Sequence, residues 1–392
     1  MVNGANLPTR EELIAASKQR KLSQLEILVL KSRSFAIPIH LLGKSKGDRE
    51  ANKKEEVQNL YIDLRELDTI EDCTLKSKDK IELMDGLLYI FNEVVRRKED
   101  DSIDDLLKEK LGDITKRLKK GLSYKGKLDE EEEAFVLQFG HGESLKTLQR
   151  FEPEMKEIIG NCMNGMSIGM KEFMRRGGID TAYDIERYCD YVAGSVGEAL
   201  TKTVNLKDRR QLNVDSSRKF SEYLQMTNIT KNIGEDYEKR EISYIPKEMR
   251  PDMDNESLMK RTDKAAKDTR AATLDKMLHM AERNFQNSVN YISSVPEELS
   301  GYAAFCLVPL LTARETLKTM KESGAEAVFN GEENAIKISR ETFSNIYIFS
   351  ERIVEVAEGL RRKSWEMDYR DSPAKFSFEP GEYEKWAYNT LK

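Results

Sequence analysis

The chain has 392 residues, of which 34% are charged, 39% hydrophobic and 8% aromatic, a mixture that excludes both a disordered chain and a bundle buried in lipid. Proline and glycine are scarce, at 9 and 22 residues, which excludes a collagen-like fold and an all-β sandwich. The net charge of −6 comes from well-mixed acidic and basic residues, so we expect no binding to nucleic acid.

Apolar residues recur at intervals of three and four along most of the chain, which predicts an all-α protein. We predict helices over 11–43, 58–75, 81–95, 103–118, 151–173, 183–203, 216–239, 256–294, 296–323 and 339–362. Residues 44–57 are charged and are predicted to form a mobile flap. The glutamate run after Leu128 is predicted to be a solvated helix start.

The domain prediction is one helical domain over 1–362, in which 76–135 forms charged, insertion-rich helices, and an aromatic tail over 363–392 that packs on it. The four cysteines are widely spaced and do not predict a zinc site. The most apolar run, 303–311, is far shorter than the ~20 residues that cross a bilayer. We therefore expect a cytoplasmic protein without a transmembrane anchor.

A first candidate site is the acidic group Asp68, Glu71 and Asp72, which share one face of a predicted helix. Three carboxylates on one face repel each other, and Arg65 is the one nearby basic residue at matching spacing. A solvated acidic face is one interpretation. The other is a magnesium site, because Mg²⁺ binds one or two carboxylates together with substrate phosphates.

A second candidate site is the row Asn228, Asn232 and Asp236, which again lies on one helical face. Asparagine is unfavourable inside a helix, so two of them on one face suggest either a polar seam between helices or a use in binding. Two oxygen-rich faces on separate helices could each hold part of a magnesium–diphosphate cluster. Basic residues that could bind the remaining phosphate charge are Arg33, Arg65, Lys231 and Arg240.

Five motifs stand in an order and spacing that resemble the squalene and phytoene synthase family, over roughly residues 20–340. They are Ser32-Arg33-Ser34-Phe35, Leu64 to Asp72, Met166 to Met170, Tyr188 to Gly197, and Thr227 to Asp236 followed by Arg240 and Tyr244-Ile245-Pro246. The chain departs from the family pattern at Asn232, where aspartate is usual, at Lys231, where arginine is usual, and at Cys73, where another aspartate is frequent.

The resemblance implies a single-domain, isoprenoid-synthase-type helical bundle around a central cavity that takes two molecules of farnesyl diphosphate. It implies Mg²⁺ ligands among Asp68, Glu71, Asp72, Asn228, Asn232 and Asp236. It implies substrate contacts from Ser32, Arg33, Ser34, Phe35, Arg65, Gln225, Lys231, Arg240, Val192 and Phe305. Tyr61 and Tyr188 would face the reacting carbons, and Asp68, Asp72 and Asp236 would support the ionisation step.

Two later stretches, 305–309 and 328–340, resemble the squalene synthase branch of the family, which reduces its product with NADPH. Lys337, Arg340 and Asn330 are the implied NADPH contacts, although Asn330 replaces a usual lysine and two residues are added after Gly331. The resemblance therefore leaves three functions open: a reductive squalene synthase, a non-reductive dehydrosqualene or phytoene synthase, and a non-catalytic scaffold. We expect a monomer that lacks the family's membrane-anchoring tail, with peripheral membrane contact left open.

Overall fold

The computed structural model of the protein describes residues 9–31, 33–42, 52–124 and 127–355. These residues divide into two compact units, one ending at residue 164 and one beginning at residue 165. Helices dominate both units. The strands of the described chain are β1 (Ser123–Tyr124) and β2 (Lys127–Leu128), each two residues long, which pair with each other in antiparallel orientation. The all-α class is therefore confirmed, whereas a single domain over 1–362 and a central cavity stay predictions.

The first unit is built from short helices around two long ones. They are α1 (Arg10–Ser17), α2 (Gln24–Lys31), α3 (Arg33–Ile39), α4 (Asn52–Asp72), α5 (Ser77–Arg96), α6 (Asp104–Leu106), α7 (Gly112–Leu118), α8 (Glu130–Phe139) and α9 (Glu143–Gln149). A π-helical turn (Leu107–Leu111) precedes α7 and a 3₁₀ turn (Lys119–Gly121) follows it. The helix α10 (Pro153–Arg176) contains the residue at which the two units are divided.

Two predictions for this unit are wrong. The stretch 11–43 is not one helix but three, because the chain turns between α1 and α2, where the Leu22 N–H donates to Gln138 Oε1 at 2.7 Å. The predicted flap ends too late, because α4 already begins at Asn52. Residues 44–51 of that flap lie outside the described residues, as does the predicted tail over 363–392.

The core of the first unit is organised by α5, whose apolar residues repeat at helical spacing. Leu83, Leu87, Ile90, Phe91 and Val94 are all buried. Full burial of each such side chain stabilises the fold by about 1.5–3 kcal/mol before the entropy of ordering is subtracted. α5 packs against α4, α7 and α9, and α4 in turn packs against α2, α3 and α9. This packing fixes which face of α4 is left for a site.

The second unit contains the remaining helices. They are α11 (Ala182–Cys189), α12 (Ser195–Asp208), α13 (Val214–Arg240), α14 (Asn255–Lys260), α15 (Lys264–Glu282), α16 (Phe285–Ser293), α17 (Ser300–Phe329), α18 (Glu333–Ile336) and α19 (Arg340–Glu355). A π-helical turn (Asp190–Gly194) joins α11 to α12, and 3₁₀ turns occur at Lys247–Met249 and Glu297–Leu299. The predicted helix 256–294 is wrong, because it divides into α14, α15 and α16.

α13 and α17 are the long helices of the second unit, and they pack against each other. α17 is buried almost continuously from Ser300 to Leu310. Its backbone leaves the helical conformation at Gly324 (φ 80°), so the predicted end at residue 323 coincides with a break in α17, after which the helix continues to Phe329. α13 is preceded by the N-cap residue Asn213, whose side chain accepts the N–H of Ser216 at 2.8 Å.

Candidate active site

The first acidic face lies on α4, where Asp68 is paired with Arg65 one turn earlier. Arg65 Nη1 donates to Asp68 Oδ2 at 2.9 Å, and Nη2 of the same guanidinium lies 3.6 Å from Glu132 Oε1. The side chains of Arg65 and Asp68 stay 24% and 27% exposed. One place on the helix thus combines a carboxylate, which suits a cation, with a guanidinium, which suits a phosphate.

Glu132, on α8, is the second carboxylate near the Arg65 guanidinium, after Asp68. The sequence analysis did not identify it as a site residue. Its carboxylate accepts hydrogen bonds from Lys31 of α2 and from Thr69 Oγ1, the latter at 3.1 Å. Lys31 is only 4% exposed and also lies 3.3 Å from Glu131. The prediction of a solvated helix start is therefore wrong for Glu131 and Glu132, because both neutralise a lysine that α2 buries.

Asp68 and Glu132 differ in how far their charges are compensated. Burial raises the pKa of Asp68 to about 6, an effect that Arg65 opposes and that the nearby charges of Asp72 and Glu132 strengthen. Burial would raise the pKa of Glu132 as well, but Lys31 and Arg65 outweigh it and bring that pKa below its usual value. A bound cation would favour the ionised form of Asp68.

The other two acids of the first face differ in exposure. Asp72 is half-buried, while Glu71 is buried and its carbonyl oxygen accepts a hydrogen bond from Lys80 Nζ at 2.6 Å. Nowhere in the described ranges do three acidic, histidine or cysteine side chains gather into a ready metal centre.

The residues predicted to surround this face are partly described. Phe35 of α3 stacks at an angle on Tyr61 of α4, with ring centroids 4.9 Å apart. Arg33 and Ser34 belong to α3, and Ser32 lies outside the described residues. The Ser-Arg-Ser-Phe motif therefore reaches α4 at Tyr61, two turns before Asp68.

The second face lies on α13, in the other unit. Asn228 is exposed, Asn232 half-buried and Asp236 buried, and Asn232 Nδ2 donates to Asn228 Oδ1 at 3.3 Å. Arg240 Nη1 donates to Asp236 Oδ1 at 3.0 Å. This face repeats the chemistry of the first, since a carboxylate and a guanidinium are again paired within one helical turn.

Positive charge gathers beside the second face around Glu235. Burial alone would raise the pKa of Glu235, but a hydrogen bond from Lys239 Nζ at 2.6 Å and the nearby charges of Lys337 and Lys231 lower it. Lys231 and Lys337, predicted to bind substrate and NADPH respectively, are thus neighbours of one carboxylate. Gln225, two turns before Asn232 on α13, is half-buried.

The stretch that resembles the NADPH contact packs directly on α13. A Cβ at Gly234 would lie 2.6 Å from the carbonyl oxygen of Phe329 and 2.8 Å from that of Val328. Gly331 turns the chain there with a φ of +65°, which favours glycine. Asn330 is exposed and donates to Glu332 Oε1 at 3.4 Å, and Arg340 is exposed at the start of α19.

Tyr188, the predicted catalytic tyrosine of the second unit, lies in an aromatic cluster. Its ring is 2% exposed, meets Phe173 edge-on at 5.4 Å between centroids, and lies 5.0 Å from the ring of Tyr244. Its hydroxyl donates to the Tyr244 hydroxyl at 3.2 Å. Such a group can present a π face or a proton relay to a ligand, and its catalytic role stays a prediction.

The π-helical turn that follows Tyr188 is held by Arg218 of α13, which sequence reasoning missed. Arg218 donates to both oxygens of Asp190, at 2.9 and 2.8 Å, and to Glu198. Within the turn Val192 is buried. Phe305, the other predicted wall residue, is buried on α17 and stacks on Tyr302 at 6.0 Å. Isolated π turns occur often at functional sites.

The fold and the two faces define an all-α protein that carries carboxylate–arginine pairs on two long helices. The family model described as Squalene/phytoene synthase matches residues 30–342. The chain belongs to that family, and the resemblance carried by its motifs is confirmed.

Individual relatives are more distant. The chain is 26% identical over 328 residues to squalene synthase BSS of Botryococcus braunii, covering 82% of this chain and 62% of that protein. It is 27% identical over 305 residues to squalene synthase ERG9 of Candida albicans strain SC5314, covering 74% of this chain and 60% of that protein. The matches thus span about three-fifths of the relatives' own length.

A solved structure of TcSQS with the ligand BPH1237 has the same fold, with a TM-score of 0.63, 19% identity and 97% of both chains covered. A second TcSQS structure, with the ligand E5700, gives a TM-score of 0.59, 20% identity and 97% coverage of both chains. At this identity the similarity supports the fold alone. Within the part of the chain that is described, no helix combines the length and apolarity that crossing a bilayer requires.

Proposed function

We propose that the protein is a prenyltransferase that condenses two molecules of farnesyl diphosphate head to head through presqualene diphosphate, and then reduces the product to squalene with NADPH. The observation that carries this proposal is the repeated pairing of a carboxylate with an arginine, Asp68 with Arg65 and Asp236 with Arg240. Membership of the squalene/phytoene synthase family supports the reaction class.

Each face offers the donors that Mg²⁺ and a diphosphate require. Asp68, Asp72 and Asp236 supply carboxylate oxygens, and Asn228 and Asn232 supply amide oxygens, all of them hard ligands. A bound Mg²⁺ would stabilise negative charge on a departing diphosphate. Arg65 and Arg240 would bind phosphate oxygens through charge-assisted hydrogen bonds.

The apolar and aromatic residues would protect the allylic cation that ionisation leaves behind. Tyr188 and Tyr61 present aromatic rings, whose faces attract a cation. Val192 and Phe305 are buried and would exclude water, which would otherwise quench the cation. These roles rest on the resemblance and on the burial of the side chains.

The charge around Lys337 favours a second candidate, a non-reductive synthase that makes dehydrosqualene or phytoene. The charges of Lys337 and Lys231 both stabilise the ionised form of Glu235, so a phosphate of NADPH would compete with the Glu235 carboxylate for Lys337. Asn330 replaces a lysine that the resemblance leads us to expect. A non-catalytic scaffold is the third candidate, and the retained aspartates argue against it.

Incubation with farnesyl diphosphate and Mg²⁺, with and without NADPH, separates the three candidates. Squalene that forms only with NADPH supports the reductive enzyme, and a conjugated triene that forms regardless of NADPH supports the non-reductive one. Absence of diphosphate release would show that the protein is non-catalytic.

Matched variants test the two faces one at a time. We expect Asp68→Asn and Asp236→Asn each to slow diphosphate release by ~100-fold or more, the scale on which removal of a charge-stabilising group acts. Asp113→Asn and Asp275→Asn replace exposed aspartates away from these faces and should retain the wild-type rate. Normal turnover in the Asp68 variant would contradict the assignment of the first face.

Two farnesyl diphosphates are accordingly the proposed partners, and Mg²⁺ and NADPH the proposed cofactors. The monomeric state, the cytoplasmic location and the peripheral membrane contact stay predictions from the sequence.

A further inference from the structure

One arginine, Arg218 of α13, holds both sides of the π-helical turn Asp190–Gly194 that joins α11 to α12. On Asp190, the first residue of the turn, Arg218 Nε and Nη2 donate to the two carboxylate oxygens at 2.9 and 2.8 Å, and Nη2 lies 3.5 Å from the carbonyl oxygen. On Glu198, beyond the end of the turn, Nη1 donates to Oε2. The guanidinium thus ties the start of the turn and the helix that follows it to one point of α13.

The turn determines how α11 and α12 face each other. A π turn contains about one residue more than an α turn, so it rotates the residues that follow it by about 100° relative to those before it. Tyr188 lies just before the turn and Val192 lies within it, and both side chains are buried. A return of the turn to α-helical spacing would therefore change the placement of Val192 and of α12 relative to Tyr188.

Two glycines leave the space that these contacts need. A Cβ at Gly194 would lie 2.6 Å from Asp190 Oδ1 and 3.6 Å from Arg218 Nε, so a side chain there would displace the carboxylate from the guanidinium. A Cβ at Gly197 would lie 2.5 Å from the carbonyl oxygen of Ser217, the residue before Arg218. α12 therefore lies close against the backbone of α13, and this close approach brings Arg218 within reach of the turn.

Without Arg218 the start of the turn would carry uncompensated negative charge. Glu222, 5% exposed on α13, lies near Asp190: burial raises the pKa of Glu222, and the charge of Asp190 raises it further. Lys219 donates to both oxygens of Glu222, at 2.7 and 2.9 Å, and so offsets that carboxylate. Throughout the described chain, Asp190 forms an ion pair with Arg218 alone. Loss of Arg218 would therefore leave Asp190 beside a like charge, which would push the first residue of the turn away.

We propose that Arg218 is a positioning residue, which fixes the π-helical turn and thereby holds Tyr188 and Val192 in the places that the condensation requires. Because Arg218 acts through Asp190 and Glu198, it would contact neither substrate nor metal. This role rests on the proposed function, since the turn needs a fixed geometry for catalysis only if Tyr188 faces a reacting carbon. Neither the motifs nor the family resemblance singled out Arg218.

The test compares Arg218→Met, which removes the charge and keeps much of the side-chain length, with Arg210→Met. Arg210 forms a 3.4 Å ion pair with Glu298 beyond the far end of α12. Hydrogen–deuterium exchange over 190–194 should accelerate by ~10-fold or more in Arg218→Met and stay as in wild type in Arg210→Met. With farnesyl diphosphate and Mg²⁺, kcat for diphosphate release should fall by ~10–100-fold in Arg218→Met, whereas KM should stay within about threefold because the substrate contacts are intact. Arg210→Met should keep the wild-type kcat.

Two further variants keep the proposal decidable. Gly194→Ala leaves Arg218 in place but displaces the Asp190 carboxylate, so it should reproduce both effects, and it covers the case in which Arg218→Met does not fold. Arg218→Lys can bind one carboxylate but not both, so its kcat should lie between those of wild type and Arg218→Met. Unchanged exchange over 190–194 would overturn the proposal, as would faster exchange with an unchanged kcat, or a raised KM with an unchanged kcat. A wild-type protein that releases no diphosphate would instead overturn the proposed function, and the exchange measurement, which needs no turnover, would still show whether Arg218 fixes the turn.

Discussion

The contact between α13 and the 328–331 stretch gives the most quantitative prediction, the effect of Gly234→Ala. A Cβ on residue 234 would lie 2.6 Å from the Phe329 carbonyl oxygen, 2.8 Å from that of Val328, and closer still to the amide nitrogen of Gly331. Ordinary contacts begin at 3.4 Å and the closest of these atoms, the Gly331 nitrogen, would lie at 2.4 Å, so the backbones must separate by about 1 Å. All three obstacles are main-chain atoms, which cannot rotate away as a flexible side chain can.

The expected cost follows from two opposing terms. Overpacking of this kind typically costs about 1–3 kcal/mol of folding free energy. Because the neighbouring atoms are main-chain atoms that cannot move aside, we expect a cost of about 3 kcal/mol here. Replacing glycine by alanine inside a helix returns about 1 kcal/mol. We therefore expect Gly234→Ala to lower the free energy of unfolding by about 2 kcal/mol, which corresponds to a Tm decrease of about 4–8 °C for a unit of this size.

Gly165→Ala is the matched control within the same unit. Residue 165 is also helical, but a Cβ there would meet only Ser195 Cβ, at an ordinary 3.6 Å. This variant should be as stable as wild type or more stable by about 0.5–1 kcal/mol. Differential scanning calorimetry of wild type and both variants measures the difference. If Gly234→Ala melts within 1 °C of wild type, the close approach of the two backbones is refuted.

Three further variants test charge placement through thermal or chemical denaturation. Burial raises the pKa of Asp63 well above its usual value, so ionisation of Asp63 destabilises the fold increasingly as the pH rises. We therefore expect Asp63→Asn to be more stable than wild type at pH 8. This advantage should vanish towards pH 4, where the carboxyl is protonated in both the folded and the unfolded protein. Arg176 lowers the pKa of Asp184 to about 2, so Asp184→Asn should lose about 1 kcal/mol at pH 7, after allowance for solvent screening. This loss should shrink as the pH falls towards 2, where half of the native carboxyl is protonated, and should vanish below that pH. Glu132→Gln leaves Lys31 with less compensation in a buried site and should cost about 2–3 kcal/mol at neutral pH.

Sequence periodicity was sufficient to predict where most helices occur, because it reflects burial on one face. It predicted 216–239 for a helix that spans Val214–Arg240, and a break after residue 323 where Gly324 leaves the helix. It failed at the breaks within 11–43, where no proline or glycine marks the turn between α1 and α2. There the side chain of Gln138, far along the chain, accepts the N–H of Leu22.

The candidate site was predictable only where its chemistry is local in sequence. Asp68 with Arg65 and Asp236 with Arg240 are pairs at spacings of three and four, which any helix brings together. Lys31 and Glu132 are 101 residues apart, and only tertiary packing joins them. Lys31 did give a signal, since it ends the apolar run Ile27–Leu30, and a lysine on a buried stretch needs a counter-charge.

The position of Glu132 has a consequence for the first face if the proposed function holds. If Arg65 bound a diphosphate while Asp68 held Mg²⁺, the hydrogen bond between Arg65 and Asp68 would be weakened. Arg65 lies 3.6 Å from Glu132, whose own carboxylate is fixed by Lys31 and Thr69. The guanidinium could therefore keep its contact with Glu132 if Asp68 held Mg²⁺, and little side-chain entropy would be lost on binding. Lysine has a single terminal nitrogen and could not contact Glu132 and a diphosphate as the two terminal nitrogens of Arg65 can. Arg65→Lys should therefore weaken diphosphate binding although the charge is conserved.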